Sequence, residues 1–240
     1  MDAAKHGGLM LQGDAKATLE ELKTLLGDFE VTKGYRKMVK KLNKQWDKRV
    51  DKIYNYRHSE GLSQGEIIGA VNNFSDENDV MISAAGSLPG DLHKLWKTKN
   101  SKGFHLEYGN SCMGYEIAGG LGAKMADPNR EVYVMIGDGS YLMLAQEIVT
   151  SIQENFKLTI ILINNHGYKS IGSLSRSLGS GGYGTRFLYR NEQTGIIDGD
   201  ETNKGVTLPV NLASNAKSLG AYVIECKTFN DIQNALIKAK

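Results

Sequence analysis

An α/β fold with a mostly parallel, doubly wound sheet is what this sequence predicts, and three observations predict it. From residue 61 onward, apolar β-branched runs alternate with stretches of helical periodicity, the pattern of strand–helix–strand units packed on both faces of a sheet. Two of those runs, 132–136 and 158–163, are each followed at once by a polar motif, Gly137-Asp138-Gly139 and Asn164-Asn165. Residues 140–163, 24 in all, separate the two motifs. That is room for one helix and a return strand. A right-handed crossover then sets both motifs at the carboxyl ends of neighbouring strands, where open α/β sheets bind ligands.

The elements follow in chain order. Leu9-Met10-Leu11 reads as a short strand. Asp14 can cap a helix carrying Leu19, Leu22, Leu25 and Leu26 at helical spacing, and Gly27 suits its C-cap. A lone strand and helix bury too little to fold by themselves, so residues 1–27 are expected to be the tail of another domain. Residues 28–60 are rich in Lys and Arg, with Tyr35, Met38, Leu42, Trp46, Val50 and Ile53 as an interleaved apolar stripe. Asp47 and Asp51 dilute the charge and no recognition motif accompanies it, so the segment reads as a helical linker with a solvated face.

Residues 61–240 read as the main domain. Ser63 can cap a helix over 64–74 with Glu66 at the capping-box position. Residues 80–83 form a strand that ends in the loop 85–90. A helix of small residues, with Ala118, Gly119, Gly120, Gly122 and Ala123, is built to pack close to a neighbour. One helix is expected over 141–156, a Gly-rich loop over 172–184, a late strand over 221–225 and a helix from Asp231. Such a domain usually closes with one more strand, so a C-terminal strand is expected to be missing.

Composition narrows the function. The chain has 240 residues, 40% hydrophobic and 23% charged, as in ordinary globular proteins. A net charge of +2 argues for neither nucleic acid nor an anionic membrane. Cys112 and Cys226 make no disulfide framework, which points to a reduced, cytoplasmic setting. Asp2, Lys5 and His6 interrupt any signal-like apolar run, and nothing approaches the roughly 20 apolar residues of a membrane span. A carboxylate (Asp138), an amide (Asn165) and nearby backbone carbonyls are hard oxygen donors, suited to Mg²⁺ that also holds phosphates.

Gly137-Asp138-Gly139 with its 24-residue spacing to Asn164-Asn165 resembles the thiamine diphosphate motif. The chain is thereby similar to the pyrophosphate-binding domain of the acetolactate synthase and pyruvate decarboxylase superfamily. Within it, the segments 84–92 and 107–125, and Gly184-Thr185 with Tyr189-Arg190-Asn191, most resemble the trihydroxycyclohexane-dione hydrolases of myo-inositol catabolism. The resemblance covers about residues 60–240, and implies a thiamine diphosphate-binding fold preceded by a central-domain remnant.

The resemblance also implies site roles. Asp138, Asn165 and the Gly167 carbonyl would ligate Mg²⁺. Gly137, Gly139 and Ser140 open a helix toward the diphosphate, and Gly86 and Ser87 belong to a loop that touches it. Met113, with Gly114 behind it, matches the residue wedged under the cofactor, and Ser111 would offer a backbone carbonyl to the aminopyrimidine. Cys112 is expected to be buried packing, and His166 a loop residue. His105 is the histidine best placed to face substrate, while Lys169, Arg176 and Arg186 flank the Gly-rich loop. The implied reaction is hydrolytic cleavage of a C–C bond, opening a cyclic polyhydroxy diketone to 5-deoxyglucuronate. The family's acidic Glu lies on a pyrimidine-binding domain that no stretch here resembles, and its sites form between subunits of a dimer or tetramer. No catalytic residue is therefore assigned to this chain, which is expected to be inactive alone. The alternatives are a fragment of a 2-oxo acid synthase or decarboxylase, a non-catalytic cofactor-binding module, or one subunit of a split enzyme.

Overall fold

The computed structural model describes residues 2–59, 61–192, 197 and 205–240. It divides into two compact units, Met1–Arg49 and Val50–Lys240.

The first unit holds α1 (Asp2–Lys5), α2 (Ala15–Leu26) and most of α3 (Lys33–Tyr54). Asp14 caps α2 by accepting from the Ala17 amide at 2.9 Å. Residues 9–11 form no strand. Their apolar side chains predict extended chain, but a strand also needs a ladder partner for its N–H and C=O groups, and none pairs with them here. Leu9, Leu11, Leu19 and Leu25 are all exposed.

The second unit is a layered α/β domain. Its elements are α4 (Gln64–Phe74), β1 (Val80–Ser83), α5 (Ser87–Leu95), β2 (Phe104–Leu106), α6 (Tyr115–Ala126), β3 (Val132–Gly137), α7 (Asp138–Met143), α8 (Glu147–Gln153), β4 (Thr159–Ile163), α9 (Lys169–Ser177), α10 (Leu212–Ser218) and α11 (Phe229–Ala239). The strands form one parallel sheet in the order β2-β1-β3-β4. Alternate side chains enter two cores, as a strand period of two requires. Met81, Tyr133 and Met135 join α4, α5, α11 and the end of α3 on one face. Val80, Ile82, Val134 and Ile136 join α6, α7, α8 and α10 on the other. Burying a strand on both faces explains why β1 and β3 are continuous apolar runs.

Local signals set several boundaries. Ser63 and Glu66 form the capping box of α4, the Glu66 amide donating to Ser63 Oγ at 3.2 Å and the Ser63 amide to Glu66 Oε2 at 2.8 Å. Thr228 and Asp231 do the same for α11. The small residues of α6 have a contact reason. A Cβ on Gly120 would stand 2.4 Å from Val134 Cγ2, so the helix lies on β3 at a distance only glycine permits.

Four expectations need correction. The helix over 141–156 is two, α7 and α8, broken at residues 144–146, where Leu144 turns out of helical geometry and packs on Gly114. The loop 85–90 gives way to α5 at Ser87, because Pro89 sits in the first turn, where its missing N–H would be unbonded anyway. The first part of the Gly-rich loop is helical, as α9. Residues 221–225 run without a ladder, with Tyr222 74% exposed, since alternation specifies extended chain and not its partner. No helix among the described residues is long and apolar enough to cross a membrane.

Candidate functional site

A cavity of about 310 Å³ opens at the carboxyl ends of β1, β3 and β4. Gly86, Ser87, Ser111, Met113, Gly137, Asp138, Gly139, Ser140, Asn165 and Gly167 all line it. Gly114 does not, but it directly follows Met113 and begins α6 with φ of 93°. The parallel sheet thus brings into one place, at the carboxyl ends of its strands, residues that the sequence sets far apart.

Asp138 is the centre of this arrangement. It is 1% exposed. Its Oδ1 accepts from the Gly139 amide at 2.9 Å, and its Oδ2 from the amides of Asn165 at 3.2 Å and Gly167 at 2.9 Å. A buried carboxylate needs such donors, and here they lock the end of β3 to the turn after β4. Asn165 Oδ1 is buried and has no hydrogen-bond partner among the described residues. A buried, unpaired acceptor is rare enough to call for a reason. Its position beside a carboxylate fits an oxygen set that can hold a hard cation. No group of three or more His, Cys, Asp or Glu among the described residues could do so.

The backbone is shaped for this turn. His166 and Gly167 have φ of 59° and 148°. Tyr168 N–H donates to the Thr185 carbonyl at 2.8 Å and Phe187 N–H to the His166 carbonyl at 3.1 Å, so the segment 185–187 is laid against the turn. A Cβ on Gly167 would stand 2.3 Å from the Thr185 oxygen. On the opposite wall, Met113 Cε and the Tyr168 ring both approach Gly139. Ser111 is held at φ of 53° by Glu107, whose carboxylate accepts from the amides of Asn110 at 3.1 Å and Cys112 at 2.8 Å. The Cys112 bond, then the Asn110 bond, hold the Glu107 carboxyl below its usual range.

Glu116, on α6, is fully buried. Burial pushes its carboxyl up, against the pull of its hydrogen-bond donors. Cys112 is exposed, not buried packing, because it lies in the loop before α6 and not within a packed element. Partial desolvation and the Glu107 carboxylate push its thiol up, which argues against an activated nucleophile. His105 does not line the cavity; its Nε2 lies 2.7 Å from the Tyr115 hydroxyl. His166 contributes backbone to its turn and is exposed. Of the three loop cations, Lys169 lines the cavity and Arg176 and Arg186 do not.

Sequence reasoning missed Gln64, Tyr108 and Tyr168 as lining residues. Tyr168 had a signal, being the first aromatic residue after the Asn-Asn turn. Gln64 and Tyr108 had none, since their elements reach the cavity only through packing of the layers.

Residues 84–240 match the family of thiamine pyrophosphate enzymes, C-terminal TPP binding domain. The 3D-(3,5/4)-trihydroxycyclohexane-1,2-dione hydrolase of Clostridium botulinum (strain Alaska E43 / Type E3) is 36% identical over 261 residues, covering 99% of this chain and 40% of that protein. The protein of the same name from Bacillus cereus (strain AH820) is 36% identical over 262 residues, with the same coverage of 99% and 40%. The chain thus spans about 40% of the length of these curated relatives. The thiamine diphosphate-dependent 4-hydroxybenzoylformate decarboxylase of Rhodococcus jostii RHA1 superposes with a TM-score of 0.61 at 18% identity, covering 77% of this chain and 31% of that one. That likeness establishes the α/β fold. With the matched family spanning the sheet from the end of β1 onward and both motifs at its carboxyl edge, the chain belongs to the thiamine pyrophosphate enzymes through their C-terminal TPP-binding domain.

Proposed function

We propose that this chain is the Mg²⁺- and thiamine diphosphate-binding part of a hydrolase that opens trihydroxycyclohexane-dione to 5-deoxyglucuronate in inositol breakdown. The observation that carries the reading is the pair at the ends of β3 and β4. Asp138 is fixed by three backbone amides, beside the unpaired buried oxygen of Asn165. The substrate part is supported by the names of the relatives at 36% identity.

On this reading Asp138, Asn165 Oδ1 and the Gly167 carbonyl hold the cation, a set of hard oxygens suited to Mg²⁺. The turns at Gly86-Ser87 and Gly137-Asp138-Gly139-Ser140 receive the diphosphate. Met113, backed by Gly114, supports the cofactor from below, and Ser111 presents a backbone carbonyl to it. When bound, thiamine diphosphate supplies a carbanion and an electron sink for breaking a C–C bond next to a ketone. The protein's share is to bind, orient and exclude water. No acid or base of this chain is assigned a catalytic role, so these residues alone bind cofactor and do not turn over the dione. The active protein is a cytoplasmic homo-oligomer. Residues 1–27 belong to its central domain, 28–60 to a linker and 61–240 to the cofactor domain.

Calorimetric titration with thiamine diphosphate, with and without Mg²⁺, tests the site. The chain binds only with Mg²⁺, and Asp138→Ala weakens binding by about 100-fold or more. Equal binding by the folded variant, or binding indifferent to Mg²⁺, overturns the assignment. Offering the dione and pyruvate in turn to the loaded chain tests the substrate. Saturable heat with the dione alone supports the hydrolase reading, and heat with pyruvate alone points to 2-oxo acid chemistry.

A further inference from the structure

The carboxyl group of Glu116 is an odd thing to find where it is. It sits in the first turn of a helix otherwise made of Ala, Gly and apolar residues, with none of its surface exposed. No ion pair joins it to a cation among the described residues. A buried carboxyl is costly unless its oxygens are hydrogen-bonded. They are, and the donors are informative. Oε1 accepts from the Ala85 amide at 3.1 Å, and Oε2 from the Gly114 amide at 3.1 Å. The nearby Ser140 side chain also favours its ionised form.

The two donors come from separate turns beside the cavity. Ala85 ends the turn out of β1 and directly precedes Gly86 and Ser87. Gly114 directly follows Met113. Ser140 lies in α7, two residues after Asp138. Ala85, Met113 and Ser140 all line the cavity. Among the described residues the amides of Ala85 and Gly114 make no backbone hydrogen bond, and both donate to this one carboxyl group. Gly86 and Gly114 both have positive φ, at 97° and 93°. Glycine adopts such φ freely, so these turns have little stiffness of their own and outside contacts help to set their conformation.

We propose that Glu116 is a positioning residue. Its carboxyl group clamps the Ala85-Gly86-Ser87 turn and the Met113-Gly114 turn at a fixed separation, so that Met113 is held in register with the groups that receive the diphosphate. The clamp itself follows from the geometry; its effect on the cofactor rests on the function proposed above. It acts on the ring-bearing half of the ligand relative to the diphosphate half, so it governs discrimination between the whole cofactor and its diphosphate alone.

Glu116→Gln tests this. The amide keeps the shape but turns an NH₂ toward one of the two backbone donors, which leaves that N–H unpaired. Amide hydrogen exchange by NMR reads the clamp without any ligand. Protection at Ala85 or Gly114 is expected to fall by about tenfold or more, with Val134 in the sheet unchanged. Calorimetry with Mg²⁺ then compares thiamine diphosphate with inorganic pyrophosphate. The variant is expected to lose about tenfold in affinity for the former and little for the latter.

Unchanged protection at both amides overturns the clamp. Equal loss of both ligands together with lost protection at Val134 shows general destabilisation and overturns the positioning role. If the wild-type chain binds neither ligand, the proposed function fails, and the exchange measurement alone decides the clamp. Should Glu116→Gln not fold, Glu116→Asp, which keeps the charge and shortens the reach, is read by the same two measurements.

Discussion

The two ends of the sheet are built on opposite plans. At the amino ends of the strands, long side chains satisfy backbone carbonyls. Arg130 donates to the carbonyls of Asn78 at 2.6 Å and Lys102 at 3.0 Å, Lys124 to that of Arg130 at 2.5 Å, and Lys99 to that of Asn72 at 2.9 Å. Ion pairs of Lys157 with Glu131 and Lys240 with Asp76 close the same end. At the carboxyl ends the plan reverses. Gly86, Ser111, Gly114, His166 and Gly167 all have positive φ, and the Asn165 oxygen is buried without a partner. Satisfied groups make a stable end; Ser111 and His166 held at positive φ, and an unpaired acceptor, make an end prepared for a ligand. Among the described residues two other buried side-chain oxygens lack a partner, the Ser83 hydroxyl at the carboxyl end of β1 and, against this division, the Tyr133 hydroxyl near the amino end of β3.

Substitutions can separate these plans, the largest effect first. Gly167→Ala forces a Cβ to within 2.3 Å of the Thr185 oxygen, at a φ of 148° that other residues rarely adopt. Stability falls by about 1–3 kcal/mol or more in urea unfolding, and cofactor binding is lost. Retained affinity would mean that the 166–168 turn can move away from segment 185–187 without harm. Arg130→Ala acts at the other end. It lowers stability by about 1–3 kcal/mol and leaves thiamine diphosphate affinity as it was. A parallel loss of affinity would deny that the two ends are independent.

Asn165→Ala and Tyr133→Phe form a matched pair, since each removes an unpaired buried oxygen. Neither lowers stability by more than about 1 kcal/mol, because an unsatisfied group contributes little. Only Asn165→Ala weakens Mg²⁺-dependent binding, by about tenfold or more. If both variants bind alike, the orphaned amide has no ligand role.

The smallest effect is in pH. The Cys112 and Asn110 amides hold the Glu107 carboxyl below its usual range. A depressed folded-state pKa stabilises the ionised form, so the contribution is present above the ordinary Glu range and lost as pH falls through the lowered value. Melting curves from about pH 7 to about pH 3 are therefore less acid-sensitive in Glu107→Gln than in wild type. Identical acid limbs would show that the loop around Ser111 does not depend on this carboxylate.

Much of this molecule is legible in its residues. The capping box at Ser63 and the buried runs of β1 and β3 are local, because each depends on neighbours within a few positions, and the spacing of the two motifs is read directly along the chain. The errors arose where a partner decides. Residues 9–11 and 221–225 have strand-like sequences and no ladder, and the helix expected over 141–156 breaks where Leu144 meets Gly114, 30 positions earlier in the chain.

The sequence by itself determined the fold class, the crossover that joins Asp138 to Asn165, and the family to which both motifs belong. Only the tertiary structure decided that Asn165 keeps a free oxygen, that Cys112 faces outward, and that Glu116 ties two turns 29 residues apart (Ala85 and Gly114) to one carboxyl group. The physical reason is that periodicity and capping are properties of adjacent residues. Burial and hydrogen-bond satisfaction are properties of whichever groups the layers happen to bring together.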